Sequence, residues 1–150
     1  MLQIGDRAPD FALESDSGDV VRLEDLRGRS VILYFYPRDD TPGCTTQACG
    51  FRDRMDDFER QGWVVLGVSP DPVGRHRKFR DKHGLNFPLL SDPDHAVAGA
   101  YGAWGKKKLY GREHEGIRRT TFLIDPEGRI AGVHERVRPE GHAGALLEAL

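Results

Sequence analysis

Hydrophobic positions along this chain gather into short runs, set apart by polar stretches marked with glycine and proline. Val31-Ile32-Leu33-Tyr34-Phe35-Tyr36 is apolar throughout and rich in β-branched and aromatic side chains, which predicts a strand buried on both faces. Trp63-Val64-Val65-Leu66-Gly67-Val68 predicts a second strand of the same kind. Between them Phe51, Met55 and Phe58 recur at helical spacing, so a helix with one apolar face is expected over about 45–61, ended by Gly62. Upstream, a hairpin turns at Asp16-Ser17-Gly18-Asp19 into residues 20–23. Downstream of Ser69-Pro70-Asp71-Pro72 a helix runs to about His83. Its Arg75, His76, Arg77, Lys78, Arg80 and Lys82 predict a solvated basic face. Residues 87–90 read as a short strand and 93–101 as a short helix. The polar, glycine-punctuated stretch 102–116 is expected to be mostly loop. Residues 119–124 and 129–134 form a hairpin around Asp125-Pro126-Glu127-Gly128, and a last helix covers about 142–150. Strands alternating with helices predict an α/β fold, a mixed central sheet flanked by helices, in a single domain over residues 1–150.

Composition removes several classes of function. The 150 residues carry a formal net charge of -2, which leaves no electrostatic case for nucleic acid or an anionic membrane. No apolar run approaches the length of a membrane span. Met1-Leu2-Gln3-Ile4-Gly5-Asp6 lacks the basic start and apolar core of a secretory signal, so the expected location is the cytoplasm. In that reducing setting a cysteine pair is catalytic or metal-binding more often than structural.

The chain has 2 cysteines, both in Thr41-Pro42-Gly43-Cys44-Thr45-Thr46-Gln47-Ala48-Cys49, where the first buried strand gives way to a helix. Thr41 suits the N-cap and Pro42 the first helical position, whose missing N–H would be unpaired anyway. Cys44 then lies in the first helical turn, where free N–H groups and the helix dipole favour an anion and a nucleophilic thiolate. Three plainer roles compete. Cys44 could be a small buried hydrophobe. A structural Cys44–Cys49 disulfide meets a geometric obstacle: five residues of intact helix separate the Cα atoms by about 8.6 Å, beyond the roughly 7 Å a disulfide spans. A zinc site from both cysteines and two histidines lacks a finger-like histidine spacing. A pair held apart when reduced, and needing local unwinding to join, fits a redox cycle better than a staple.

A cysteine that ends an early strand and opens the next helix matches the thioredoxin arrangement, although C-x4-C is not thioredoxin's C-x-x-C. The run Pro37-Arg38-Asp39-Asp40-Thr41-Pro42-Gly43-Cys44 resembles the peroxiredoxin signature P-x-x-x-T/S-x-x-C. Its extension to Cys49 is similar to the bacterioferritin comigratory protein subgroup, also called peroxiredoxin Q. The likeness continues through Gly5-Asp6-Arg7-Ala8-Pro9-Asp10-Phe11, Gly67-Val68-Ser69-Pro70-Asp71, Pro88-Leu89-Leu90-Ser91-Asp92 and Thr121-Phe122-Leu123-Ile124-Asp125.

This resemblance implies a thioredoxin-like fold and a cofactor-free, thiol-dependent peroxidase, monomeric as that subgroup often is. It implies that Cys44 attacks the peroxide and that Cys49, on the same helix, resolves the product. Thr41 and Pro42 match the family threonine and first-turn proline. The family arginine stands one residue before the Thr/Ser-Phe pair; Thr120 fills that gap, so Arg119 takes the match over Arg118. Partners implied are a hydroperoxide and a dithiol reductant such as thioredoxin. A general thiol–disulfide oxidoreductase or a redox sensor on the same fold are the competing activities. Tyr36, Phe79 and Trp104 are candidate pocket aromatics, although aromatic residues in such positions more often belong to the core.

Overall fold

The computed structural model describes residues 2–150. The chain runs β1 (Ala12–Glu14), β2 (Val20–Arg22), β3 (Ser30–Phe35), α1 (Pro42–Asp53), α2 (Met55–Arg60), β4 (Trp63–Ser69), α3 (Val73–His83) and β5 (Leu89–Ser91). It continues with α4 (Ala96–Ala100), β6 (Trp104–Leu109), β7 (Arg112–Ile117), β8 (Thr120–Ile124), β9 (Ile130–His134) and α5 (His142–Ala149). Five strands form the central sheet in the order β5-β4-β3-β8-β9. β3, β4 and β5 are parallel, while β8 and β9 are antiparallel to their neighbours, so the sheet is mixed as expected.

The apolar run at β3 works because its alternate side chains enter different cores. Val31, Leu33 and Phe35 pack with Leu66, Val68, Tyr101 and Phe122 on one face. Ile32, Tyr34 and Tyr36 pack on the other with Phe51, Phe58, Phe79 and Leu146, which come from α1, α2, α3 and α5. With no solvent face to keep polar, the strand loses its alternation and reads as continuous hydrophobicity. Tyr36 and Phe79 are therefore core, whereas Trp104 is half-buried and stacks on His95 with ring centroids 3.7 Å apart.

Two sequence expectations are corrected. The single helix over 45–61 is two helices. α1 begins at Pro42, and the chain breaks at Arg54 (φ -118°, ψ 10°), where tighter turns link Arg54 to Phe51 and Asp57 to Arg54. Phe51, Met55 and Phe58 all stay buried across the break, so the apolar spacing is kept although the helix is not. The stretch 102–116 is a hairpin of β6 and β7 rather than a loop. Tyr110 and Gly111 both adopt positive φ, the conformation of a two-residue turn whose twist matches the strands. Its register opposes Lys106 to Glu115 and Lys108 to Glu113. Pairs of opposite charge hold such a ribbon while leaving both faces polar, which erases the usual strand pattern.

Close packing in this fold has a direct consequence at Gly67. It lies opposite Tyr34 across β3 and β4, and a Cβ there would sit 2.9 Å from the Tyr34 ring. That ring is held by stacking on Phe51 at 4.7 Å, so it has nowhere to move. Gly67→Ala is expected to destabilise the fold by about 1–3 kcal/mol, read as a lower midpoint in thermal or denaturant melts.

His142 at the start of α5 hydrogen-bonds Thr121 at 2.9 Å, and burial, with His134 and Arg119 nearby, pushes its pKa down to about 4. The folded chain thus holds the ring neutral where the unfolded chain, near the ordinary 6.5, takes up a proton. Its contribution is complete above that ordinary value and is lost as pH falls from 6.5 toward 4, by about 3 kcal/mol. Urea melts at neutral pH and near pH 4 read the loss; the same slope in His142→Gln would show that another group is responsible.

Candidate active site

β3 delivers the chain to Pro37, and α1 starts five residues later, so Cys44 arrives in the first turn of a helix laid against the sheet. Thr41 occupies the N-cap position and Pro42 the first helical position, as the sequence predicts. The first helical hydrogen bond is Thr45 N–H to the Thr41 carbonyl, at 2.8 Å. The N–H groups of Gly43 and Cys44 precede it and lie in the turn that has no intrahelical acceptors. Cys44 is 2% exposed, with Tyr34, Tyr36, Ala48 and Phe51 in the same cluster.

Arg119 sits just before β8, the strand paired directly with β3. Its Nη2 donates to Cys44 Sγ at 3.3 Å and its Nη1 to Gln47 Oε1 at 2.5 Å. Gln47 is one helical turn from Cys44 and is buried, so it fixes the guanidinium against the sulfur. The neighbouring Arg118 is exposed and lies over Gly105. Geometry thus separates the two arginines that the residues alone left open. Gly43 is a point of close approach: a Cβ there would stand 3.3 Å from Pro139 and 3.4 Å from Arg119 Nη2.

Thr41 does not use its hydroxyl as a helix cap. Oγ1 donates to the Arg38 carbonyl at 2.9 Å, which commits the proton inside the loop and leaves the oxygen's lone pairs open. Cys49 lies on the same unbroken α1 as Cys44, half-buried, and both thiols are free. Among the described residues no group of three or more His, Cys, Asp or Glu is placed to hold a metal ion.

A cleft of about 570 Å³ opens beside Arg119, lined also by Thr120, Lys106, Lys107 and Lys108. Burial, and next the charge of Arg119, lower the pKa of Lys107 below the ordinary ammonium value, while the Cys44 charge opposes them. The hairpin that supplies these lysines was not expected, so their place at the site could not be read from sequence. Gln47 was also missed; its only signal was a polar residue three positions after the cysteine.

The AhpC/TSA family model matches residues 4–133, across this whole site. The chain is a peroxiredoxin of the AhpC/TSA family. Peroxiredoxin Bcp of Bacillus subtilis is 46% identical over 149 residues, covering 99% of this chain and 95% of its own. Peroxiredoxin Bcp of Escherichia coli is 44% identical, with 99% and 96% covered. Among solved structures, the bacterioferritin comigratory protein of Xanthomonas campestris, described for its alkyl peroxide reduction activity, superposes with TM-score 0.91. It is 37% identical, with 98% of this chain and 96% of that one covered. A mutant of Xylella fastidiosa PrxQ gives TM-score 0.93 at 35% identity, covering 99% and 95%. The peroxiredoxin therefore has the thioredoxin-like fold and the peroxiredoxin Q kinship that its sequence suggested, and it is a thiol-dependent peroxidase. No helix among the described residues is long and apolar enough to cross a membrane.

Proposed function

We propose that this peroxiredoxin reduces hydrogen peroxide and organic hydroperoxides at Cys44, forms a Cys44–Cys49 disulfide, and is recycled by thioredoxin or a similar dithiol. It does so as a monomeric single domain in the cytoplasm. The observation that carries this reading is the Arg119 guanidinium held 3.3 Å from the buried Cys44 sulfur at the first turn of α1.

The Cys44 thiolate attacks one oxygen of the O–O bond, which breaks; the other oxygen leaves with a proton as water or alcohol. Cys44 becomes a sulfenic acid while the peroxide is reduced. Arg119 is a fixed donor at the sulfur, and the unpaired first-turn N–H groups and the helix dipole add positive potential where charge moves. Because the Thr41 proton is committed to Arg38, its oxygen is left to accept from a peroxide O–H. Pro42 covers the turn without donating a hydrogen bond and limits water at the thiolate. The cleft of about 570 Å³ has room for the tail of an alkyl hydroperoxide. The sulfenic acid then condenses with the Cys49 thiol, forming S–S and releasing water. Thiol–disulfide exchange with an external dithiol restores both cysteines.

The direct test is hydroperoxide consumption by the purified chain with thioredoxin, thioredoxin reductase and NADPH. Catalytic turnover supports the reading. A single oxidation of Cys44 with no turnover would remove thioredoxin as reductant, and rapid insulin reduction with poor peroxide turnover would favour a general oxidoreductase. In the same assay Arg119→Ala is expected to lower kcat/KM for peroxide by about 10²–10³-fold. Arg119→Lys should recover only part, since one ammonium cannot replace a fork that spans Cys44 and Gln47.

A further inference from the structure

α3 was expected to present a solvated basic face, with His76 among its residues. His76 is instead fully buried, at 0% exposure, and faces Asp39 in the loop before Cys44, which is also at 0%. His76 Nδ1 lies 2.6 Å from Asp39 Oδ2, and Tyr36 donates its hydroxyl to Asp39 Oδ1 at 2.6 Å. His76 Nε2 lies 2.9 Å from the Leu90 carbonyl, which can only accept, so that nitrogen carries a proton. The Asp39 N–H is taken by Asp71 Oδ2 at 2.6 Å. One residue on, Asp40 holds a left-handed conformation (φ 58°) and is bound by Lys82 at 2.7 Å and His83 at 3.0 Å, both from the far end of α3. The same helix end holds the other side of α1, where Arg52 Nη1 donates to the His83 carbonyl at 2.6 Å.

Cys44 and Cys49 therefore lie on a segment gripped by α3 at both ends, at Asp39–Asp40 before it and at Arg52 after it. We propose that Asp39 and His76, supported by Asp40, are positioning residues that hold the Thr41–Cys44 turn in its attacking form. They thereby set how fast α1 opens for Cys44 to reach Cys49. This rests on the reading of those cysteines as attacking and resolving thiols. The step they control balances without an outside oxidant: the Cys44 sulfenic acid and the Cys49 thiol give a disulfide and water. The competing step consumes a second hydroperoxide and carries Cys44 to sulfinic acid. A grip that slows opening lengthens the life of the sulfenic acid and feeds that second reaction.

The grip belongs to α3 and the loop rather than to the reacting atoms, so weakening it should move two rates in opposite directions. In Asp39→Ala the reduced protein is expected to exchange the α1 amides around Cys44 to Cys49 about tenfold faster, with exchange in β3 and β4 unchanged. Rapid-mixing kinetics should show slower sulfenic acid formation and faster disulfide formation. Mass spectrometry should find less sulfinic acid at high peroxide. Asp39→Asn keeps an acceptor for Tyr36 and places an amide donor opposite His76 Nδ1, whose other nitrogen already donates to Leu90, and should restore wild-type behaviour. Asp40→Ala lies in the partly exposed half of the grip. It tests the same opposition of rates if Asp39→Ala does not fold, with a smaller shift in the same directions. Unchanged α1 exchange, or both rates falling together, in the variant that folds would overturn the proposal. Failure of the underlying reading shows separately, as a wild-type protein that forms no Cys44–Cys49 disulfide.

Discussion

Cys44→Ser is expected to abolish hydroperoxide turnover with every reductant, a loss of more than about 10⁴-fold. The side chains are nearly isosteric, and Cys44 is 2% exposed in a cluster where the oxygen fits the space of the sulfur, so the variant should fold. What it lacks is chemistry. A serine hydroxyl stays protonated beside Arg119, has no polarisable lone pair to attack O–O, and cannot cycle through a sulfenic acid. The guanidinium that lies 3.3 Å from the sulfur would face a neutral hydroxyl instead. The check is peroxide consumption followed directly, with thioredoxin and with a small dithiol, beside a circular dichroism spectrum showing that the fold persists. Turnover above background in the folded variant would reassign the attacking residue.

Cys49→Ser should separate the two half-reactions. The first oxidation proceeds at the wild-type rate, because Cys49 lies more than a helical turn from Cys44 and makes no hydrogen bond to Arg119 or Gln47, which hold the sulfur's side of the site. Thioredoxin-driven cycling is lost, because the sulfenic acid has no resolving thiol and remains exposed to further oxidation. Both cysteines are free and share the unbroken α1 from Pro42 to Asp53. With Cα atoms about 8.6 Å apart in such a helix, the disulfide cannot close until the first turns unwind. Wild-type protein should therefore lose helical ellipticity on oxidation while Cys49→Ser keeps it. Full thioredoxin-dependent activity in Cys49→Ser would refute the resolving role. An unchanged spectrum in a verified Cys44–Cys49 disulfide would refute the unwinding.

The site was legible where its chemistry is local. Proline at the first helical position, threonine before it and a cysteine in the opening turn are set by hydrogen-bonding needs within a few residues, and they stand where the pattern put them. The strands at 31–36 and 63–68 were visible for a similar reason, since burial on both faces leaves continuous apolar runs in the chain itself. The β6–β7 hairpin was not visible. Its stability comes from a turn and from charges that meet only across the ribbon, so no apolar period marks it. His76 was misread for the same physical reason: a histidine in a run of arginines and lysines looks solvated until Asp39, 37 residues earlier, is folded against it.

The sequence by itself determined the fold class, the family and the helical seat of Cys44, because strand burial, helix capping and a short motif are recorded in neighbouring residues. Tertiary structure showed Arg119, the arginine the family match chose, reaching Cys44 across 75 positions, and it alone decided that Gln47 holds it there and that α3 grips both ends of the segment carrying the cysteines. Those contacts join residues far apart in the chain, and only the pairing of β3 with β8 and the meeting of the α1 and α3 ends at Arg52 and His83 bring them within hydrogen-bonding reach.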